Sequence, residues 1–147
     1  MNEYEALCER LRALTEGVPH RVANLANAAA VLFEMNDINW AGFYIAEDET
    51  LFLGPFQGKP ACTKIPFGKG VCGTAAVRRE TVIVDDVDLF PGHIACSAES
   101  RSEIVVPVLK NGKVAAVIDV DAPVLSRFGD EEKTELEKIA RLLSELF

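Results

Sequence analysis

The amino-acid sequence predicts an α+β fold, with helices packed on one face of an antiparallel sheet and long loops over a pocket on the other. Two helix-patterned segments open the chain, strand-like segments with turn signals follow, and an amphipathic helix closes it. The length of 147 residues suits a single core. No internal repeat or low-complexity linker interrupts the sequence, so we expect one domain over residues 1–147.

The first two predicted elements are helices. Apolar side chains recur at helical spacing over residues 3–15, at Tyr4, Leu7, Leu11 and Leu14. Residues 19–35 also have a helical pattern, with Pro19 in the first turn, where its missing N–H is not needed. The alanine-rich centre of this second segment predicts close packing against a sheet or another helix.

The pattern then changes to that of strands. Residues 40–45 and 50–56 flank an acidic turn, which predicts two strands. A segment rich in glycine and proline follows and is expected to be mostly loop, with one short strand over residues 62–65. A short helix is predicted over residues 71–79 and another strand over 81–84.

The last third of the chain contains the clearest local signal. Residues 85–102 are predicted to form a loop, and loops of this length in compact domains are usually functional or disordered. Two β-rich runs then flank Asn111-Gly112, the pair preferred in a type I′ turn, so we expect a hairpin. A closing helix is predicted over residues 130–147, with Asp130 as its N-cap.

Charge and cysteine content restrict the possible functions. The net charge of −8 opposes binding to nucleic acid and to anionic membranes. No apolar run approaches the roughly 18 residues that a membrane span needs. The acidic N-terminus does not have the pattern of a signal peptide, so we expect a cytoplasmic location. In that compartment, four cysteines indicate burial, metal binding or catalysis rather than a disulfide framework.

Each cysteine allows more than one interpretation. Cys8 lies on the first predicted helix, and we expect it to be structural. Cys62 and Cys96 lie in loops near basic residues, which favour a thiolate, so they suit either a redox pair or two unrelated positions. Cys72, at a helix start, is either a stabilised thiolate or a small buried side chain. A zinc site of these last three cysteines with His93 is disfavoured, because only His93 and Cys96 are closely spaced and the other gaps between ligands are wide.

Three acids on the predicted hairpin form a second constellation. Glu103 begins one strand, and Asp119 and Asp121 lie on one face near the end of the other. The turn position predicts that Glu103 lies opposite Asp119, or nearly so. Buried neighbouring acids resist full ionisation, so one can hold a proton for a substrate oxygen while another binds an ammonium group. The alternative is a set of acids at a solvated strand end.

Several motifs together resemble one protein family. They are DINWAGFYI, LGPFQGKPAC, IPFGKGVCGTAA, FPGHIAC and SEIVVPV…VIDVDAP. In this order, from about residue 23 to residue 128, the sequence resembles the free methionine-(R)-sulfoxide reductases, which are single GAF domains. The resemblance implies reduction of free L-methionine-(R)-sulfoxide with thioredoxin as the reductant. It also implies a homodimer, and neither a cofactor nor a metal.

The resemblance further implies roles for three thiols. Cys96 would attack the sulfoxide sulfur and become a sulfenic acid. Cys62 would resolve this sulfenic acid as a disulfide, Cys72 would serve as an auxiliary thiol, and thioredoxin would restore the dithiol. Backbone N–H groups of the segment that contains Ile94, Ala95 and Cys96 would receive the substrate carboxylate.

The same resemblance assigns residues to the pocket. Glu103 and Asp121 join the catalytic set, and Asp119 is assigned to substrate binding; together they would polarise the sulfoxide oxygen and hold the amino group. Trp40 would contact the methyl end of the substrate, with Tyr44 nearby. From pattern alone, Trp40 is either a core residue or the apolar wall of a ligand site.

The sequence departs from the family's usual pattern just after Cys96. Ser97 and Arg101 stand where the family usually has Asp and Asn, and Ala122 replaces a common Ser. The spacing from Cys96 to Glu103 is kept, so we expect the departure to affect hydrogen bonds of the loop rather than the chemistry.

Two other functions remain open. A GAF sensor of a cyclic nucleotide would have to place three acids near a phosphate, and VIDVDAP occupies the region where such sensors carry an Asn-Lys pair. A thiol redox sensor without turnover would use the same cysteines but would not need the acids.

Overall fold

A computed structural model of the protein describes residues 2–93 and 98–147. The elements, in chain order, are α1 (Glu3–Thr15), α2 (Arg21–Leu32), β1 (Trp40–Glu47), β2 (Thr50–Gly58), β3 (Lys64–Pro66), α3 (Gly70–Arg78), β4 (Val82–Val84), β5 (Ser102–Lys110), β6 (Lys113–Ala122) and α4 (Asp130–Ser144). A 3-10 turn over Val87–Leu89 lies within the predicted long loop. None of the helices in the described ranges is long and apolar enough to cross a membrane.

The described strands form one six-stranded antiparallel sheet, in the order β3-β2-β1-β6-β5-β4. β1 pairs with β2 on one side and with β6 on the other, which joins two hairpins that are far apart in the sequence. The predicted α+β class is confirmed.

The two faces of the sheet carry different layers. Helices α1, α2 and α4 pack on one face, against alternate strand residues such as Phe43, Ile104 and Ile118. The other face holds Tyr44 and Val117, and α3 packs there. The second face is therefore covered by a short helix as well as by the expected loops.

Nearby side chains cap the N-terminal ends of α1 and α4. At α1, Glu5 N–H donates to Asn2 Oδ1 at 2.8 Å, and Asn2 N–H donates to Glu5 Oε2 at 3.2 Å, which is a capping box. The predicted N-cap of α4 is wrong, because Gly129 takes that position and Asp130 is the first helical residue. Gly129 N–H donates to Glu132 Oε1 at 2.7 Å, so the first turn is capped by a side chain within it.

The second helix begins later than predicted. The Nδ1 atom of His20 accepts from Ala23 N–H at 3.2 Å, so His20 is the N-cap and Pro19 lies outside the helix. The helix ends at Leu32 rather than at residue 35.

A β-bulge sets the register of the β5–β6 hairpin. The predicted turn forms, with Asn111 at φ 53° and Gly112 at φ 77°, as a type I′ turn requires. Beyond it Leu109 pairs with Val114, but Val108 pairs with Ala116, so β6 carries one extra residue, Ala115. The bulge shifts all later pairs by one residue.

This shift decides where the three acids lie. Without the bulge, Glu103 would align with Val120, whose side chain packs in the helical layer. With it, Glu103 pairs with Asp121, and Asp119 pairs with Val105 two residues along the ladder. Opposite residues of an antiparallel pair share a face, so the bulge brings all three acids to the second face.

We expect Gly42→Ala to destabilise the fold. A Cβ on Gly42 would lie 2.3 Å from Cβ of Phe56 and 2.9 Å from the carbonyl oxygen of Pro55 on the neighbouring strand. Strands β1 and β2 would have to separate, so the free energy of unfolding should fall by about 3 kcal/mol, as measured by urea denaturation. Gly129→Ala is the matched control, because a Cβ there meets only Glu132 Oε1, at 3.6 Å. Equal losses in the two variants would contradict the prediction.

Candidate active site

A pocket opens on the second face of the sheet, beside α3 and the loops that precede β3 and β5. Six of the residues predicted from the sequence line it: Trp40, Tyr44, Cys72, Glu103, Asp119 and Asp121. Ile94, Ala95 and Cys96 lie outside the described residues, so their assignment stays a prediction.

An aromatic wall forms one side of the pocket. The ring of Trp40 stacks on Tyr44, with centroids 6.0 Å apart, and on Phe56, with centroids 5.2 Å apart. Trp40 Nε1–H donates to the carbonyl oxygen of Lys59 at 3.1 Å, and the Tyr44 hydroxyl donates to that of Cys62 at 2.9 Å. The indole N–H and the phenol hydroxyl thus both donate to carbonyl groups of the loop between β2 and β3. These hydrogen bonds fix the aromatic wall to the segment that carries Cys62.

The three acids lie on the floor of the pocket, on the sheet. Glu103 and Asp119 are buried and Asp121 is partly exposed. Burial, and then the neighbouring charge of Asp119, raise the pKa of Glu103 and of Asp121 well above the ordinary values. The set therefore holds a proton to higher pH than ordinary carboxyl groups do, and can donate it to an oxygen atom in the pocket.

Apart from the proton that the acids share among themselves, two oxygens of this set have no hydrogen-bond partner in the described part of the chain: Oδ1 of Asp119 and Oδ1 of Asp121. A buried polar atom without a partner costs about 1–3 kcal/mol. Native structures rarely leave such atoms unsatisfied unless a ligand or water completes them. The two oxygens therefore indicate a polar ligand with hydrogen-bond donors.

Cys72 is buried at the start of α3. Its Sγ lies 3.4 Å from Oδ2 of Asp119, and the thiol donates a hydrogen bond to that oxygen. Burial, and then the charge of Asp119, raise the pKa of Cys72 well above its ordinary value. Of the two interpretations of this residue, the buried and protonated thiol fits its surroundings. Its role as an auxiliary thiol stays a prediction.

The other described cysteines differ in redox state. Cys62 is disulfide-bonded, whereas Cys8 and Cys72 are free. Cys8 is buried in the helical core, as expected for a structural residue. The loop residue Cys62 lies just before β3, whose first residue is Lys64 rather than the predicted residue 62.

Among the pocket residues that sequence reasoning missed, His93 and Ser100 lie beside the acids. His93 was considered only as a metal ligand or as a neighbour of a thiol, yet its Nε2 lies 3.9 Å from Glu103 Oε1. Ser100 is buried, accepts from Asn39 Nδ2 at 3.2 Å and favours the charged form of Asp121. Ser100 belongs to the segment in which this chain departs from the family's pattern, and only the fold shows that it reaches an acid.

An ion pair joins the two loops at the pocket. The ammonium group of Lys59, in the loop that carries Cys62, contacts the carboxylate of Glu99. Both side chains are more than half exposed, so the pair contributes little to stability.

Comparison with known proteins agrees with this description. The sequence matches the GAF domain family over residues 10–146. It is 47% identical over 144 residues to the free methionine-R-sulfoxide reductase of Escherichia coli, covering 97% of this chain and 87% of that protein. It is 49% identical over 149 residues to the free methionine-R-sulfoxide reductase of Saccharomyces cerevisiae, covering 95% and 83%.

A solved structure shows the same fold. The X-ray structure of the free methionine-R-sulfoxide reductase from Neisseria meningitidis, in complex with its substrate, superposes with a TM-score of 0.95 at 44% identity. The match covers 98% of this chain and 87% of that one. This chain therefore belongs to the GAF-domain family of free methionine-R-sulfoxide reductases.

Proposed function

We propose that this protein reduces free L-methionine-(R)-sulfoxide to methionine. The observation that carries the proposal is the buried acid set, Glu103, Asp119 and Asp121, beside an aromatic wall that is hydrogen-bonded to the Cys62 loop. We infer the identity of the substrate and its R stereochemistry from the family to which the chain belongs.

The first step is attack of the Cys96 thiolate on the sulfoxide sulfur. A sulfoxide is a poor electrophile until its oxygen is protonated, and Glu103, held protonated by burial and by neighbouring acids, donates that proton. This attack forms a bond between the two sulfur atoms. As that bond and the substrate sulfur–oxygen bond break, the protonated oxygen is transferred to Cys96, which becomes a sulfenic acid while methionine leaves. The substrate sulfur gains two electrons and the cysteine sulfur loses two.

In the second step, the Cys62 thiol attacks the sulfenic acid, which releases water and leaves a disulfide. Thioredoxin then reduces this disulfide by exchange. The disulfide-bonded state of Cys62 supports the assignment, as do the free thiols of Cys8 and Cys72.

The pocket distinguishes a free amino acid from a methionine sulfoxide residue in a peptide. The unpartnered oxygens of Asp119 and Asp121 suit a substrate ammonium group, which a peptide-bound residue lacks. Trp40 would face the methyl end, with Tyr44 beside it, and backbone N–H groups around Ile94 and Ala95 would bind the carboxylate. The proposal also includes that the protein forms a homodimer and acts in the cytoplasm.

A thioredoxin-coupled assay that follows NADPH consumption tests the substrate. We expect turnover with the free R epimer and none with the S epimer. N-acetyl-methionine-(R)-sulfoxide is the matched control, because acetylation removes the ammonium charge; its kcat/KM should be lower by at least about 100-fold, the discrimination typical of an unpaired buried group. Absence of turnover with the free R epimer would refute the proposal. That result would favour a redox sensor without turnover.

A further inference from the structure

Cys72, Glu103 and Asp119 come from α3, β5 and β6 and meet at the base of the pocket. One ligand atom from each lies within 4.8 Å of the other two, and all three residues are buried. This cluster of one thiol and two carboxylates combines a soft donor with hard ones. It therefore differs from the spaced cysteines and histidine that sequence analysis considered for a zinc site.

The separations in the cluster approach those of a tetrahedral metal site. Zinc–sulfur bonds of about 2.3 Å and zinc–oxygen bonds of about 2.1 Å give donor–donor separations of roughly 3.4–3.6 Å. Sγ of Cys72 and Oδ2 of Asp119 are 3.4 Å apart. All three ligand atoms lie within 4.8 Å of one another, so the set is slightly wider than a tetrahedral site and closes on a cation by side-chain rotation.

A second observation indicates an unfilled ligand position. Asp119 is only 5% exposed, yet its Oδ1 has no partner among the described residues. The cluster also lines the pocket, so a cation held there keeps one position open to water. Three protein ligands and one open position are typical of an accessible zinc site rather than of a closed structural one.

We propose that Cys72, Glu103 and Asp119 bind a thiophilic divalent cation of the zinc class, and that the bound cation excludes substrate from the pocket. The thiol selects against calcium and magnesium, which take oxygen ligands in larger or octahedral sets. Binding displaces the protons held by the ligand side chains and changes no oxidation state. The cation is thus an inhibitor that competes with the sulfoxide, not a cofactor of its reduction.

Cobalt(II) is the probe, because a cobalt–thiolate bond gives a near-ultraviolet charge-transfer band. The oxidised protein is titrated, since Cys62 is then disulfide-bonded and Cys8 and Cys72 are free. Thiol counting in denaturant checks that state. We expect a band that saturates at one cobalt per chain and is displaced by zinc.

Two cysteine variants assign the band. Cys8→Ser should keep it, whereas Cys72→Ser should lose it and bind zinc at least about tenfold more weakly. Circular dichroism checks folding, and if Cys72→Ser is unfolded, Asp119→Asn serves instead; it keeps the thiol and should weaken binding to a similar extent. No binding by the parent protein, or a band that depends on Cys8 instead of Cys72, would overturn the proposal.

Free methionine-(R)-sulfoxide should raise the apparent Kd of zinc in proportion to its concentration. If bound substrate leaves zinc binding at Cys72 unchanged, the proposed competition between zinc and the sulfoxide is overturned. Direct calorimetry of the sulfoxide with metal-free protein establishes its binding first. The cobalt titration needs no turnover, so its failure is distinguishable from failure of the proposed reductase activity.

Discussion

Replacing Cys96 by serine is expected to abolish methionine release. A serine hydroxyl is a far weaker nucleophile than a thiolate and cannot become a sulfenic acid, so the rate should fall by a factor of at least about 10³. Methionine is quantified after a single turnover of the pre-reduced enzyme with free methionine-(R)-sulfoxide. Release at the parent rate would refute the assignment of Cys96 as nucleophile.

The resolving cysteine gives a different result in the same experiment. Cys62→Ser should release about one equivalent of methionine per chain and then stop, because attack on the substrate is intact and only disulfide formation is lost. Thioredoxin must be the only reductant present. Cys8→Ser is the matched control, since Cys8 is buried in the helical core, and it should turn over at the parent rate. Sustained turnover by Cys62→Ser would contradict the division of roles.

Replacing Glu103 by glutamine is expected to lower activity and raise stability. The amide cannot supply an acidic proton to the sulfoxide oxygen, so kcat should fall by a factor of about 10²–10⁴. The assay is the thioredoxin-coupled one, with kcat and KM measured separately. A variant that retains the parent kcat would show that another group protonates the oxygen.

The gain in stability follows from the raised pKa of Glu103. The folded protein holds a proton that the unfolded chain releases above its ordinary pKa of 4.5, so the free energy of unfolding falls as the pH rises through that value towards the folded pKa. Glutamine removes this dependence. Compared with the parent, Glu103→Gln should therefore be more stable at pH 7.

Urea denaturation at two pH values tests this origin of the gain. Near pH 4 the carboxyl is largely protonated in both states, so the advantage of the variant should largely disappear. Exposed Glu80 provides the control: Glu80→Gln should change the free energy of unfolding by less than about 0.5 kcal/mol at either pH. An advantage of Glu103→Gln that is equal at both pH values would contradict the electrostatic explanation.

Local sequence patterns determined most of the elements of this protein. The apolar spacing of residues 3–15 predicted α1, and Asn111-Gly112 predicted the hairpin of β5 and β6. These features depend on side-chain periodicity and on turn conformations that a few neighbouring residues specify. Motifs such as GKPAC and PGHIAC carried the family resemblance, which the comparisons confirm.

The tertiary structure decided what surrounds each side chain. The bulge at Ala115 pairs Glu103 with Asp121, and packing of α3 on the second face brings Cys72 to Asp119. Ser100 reaches the acid set from a segment with no recognisable motif. Register and burial depend on contacts between residues far apart in the chain, and burial raises the pKa of the acids. The sequence alone therefore predicted six of the residues that line the pocket, and the fold decided their burial and their partners.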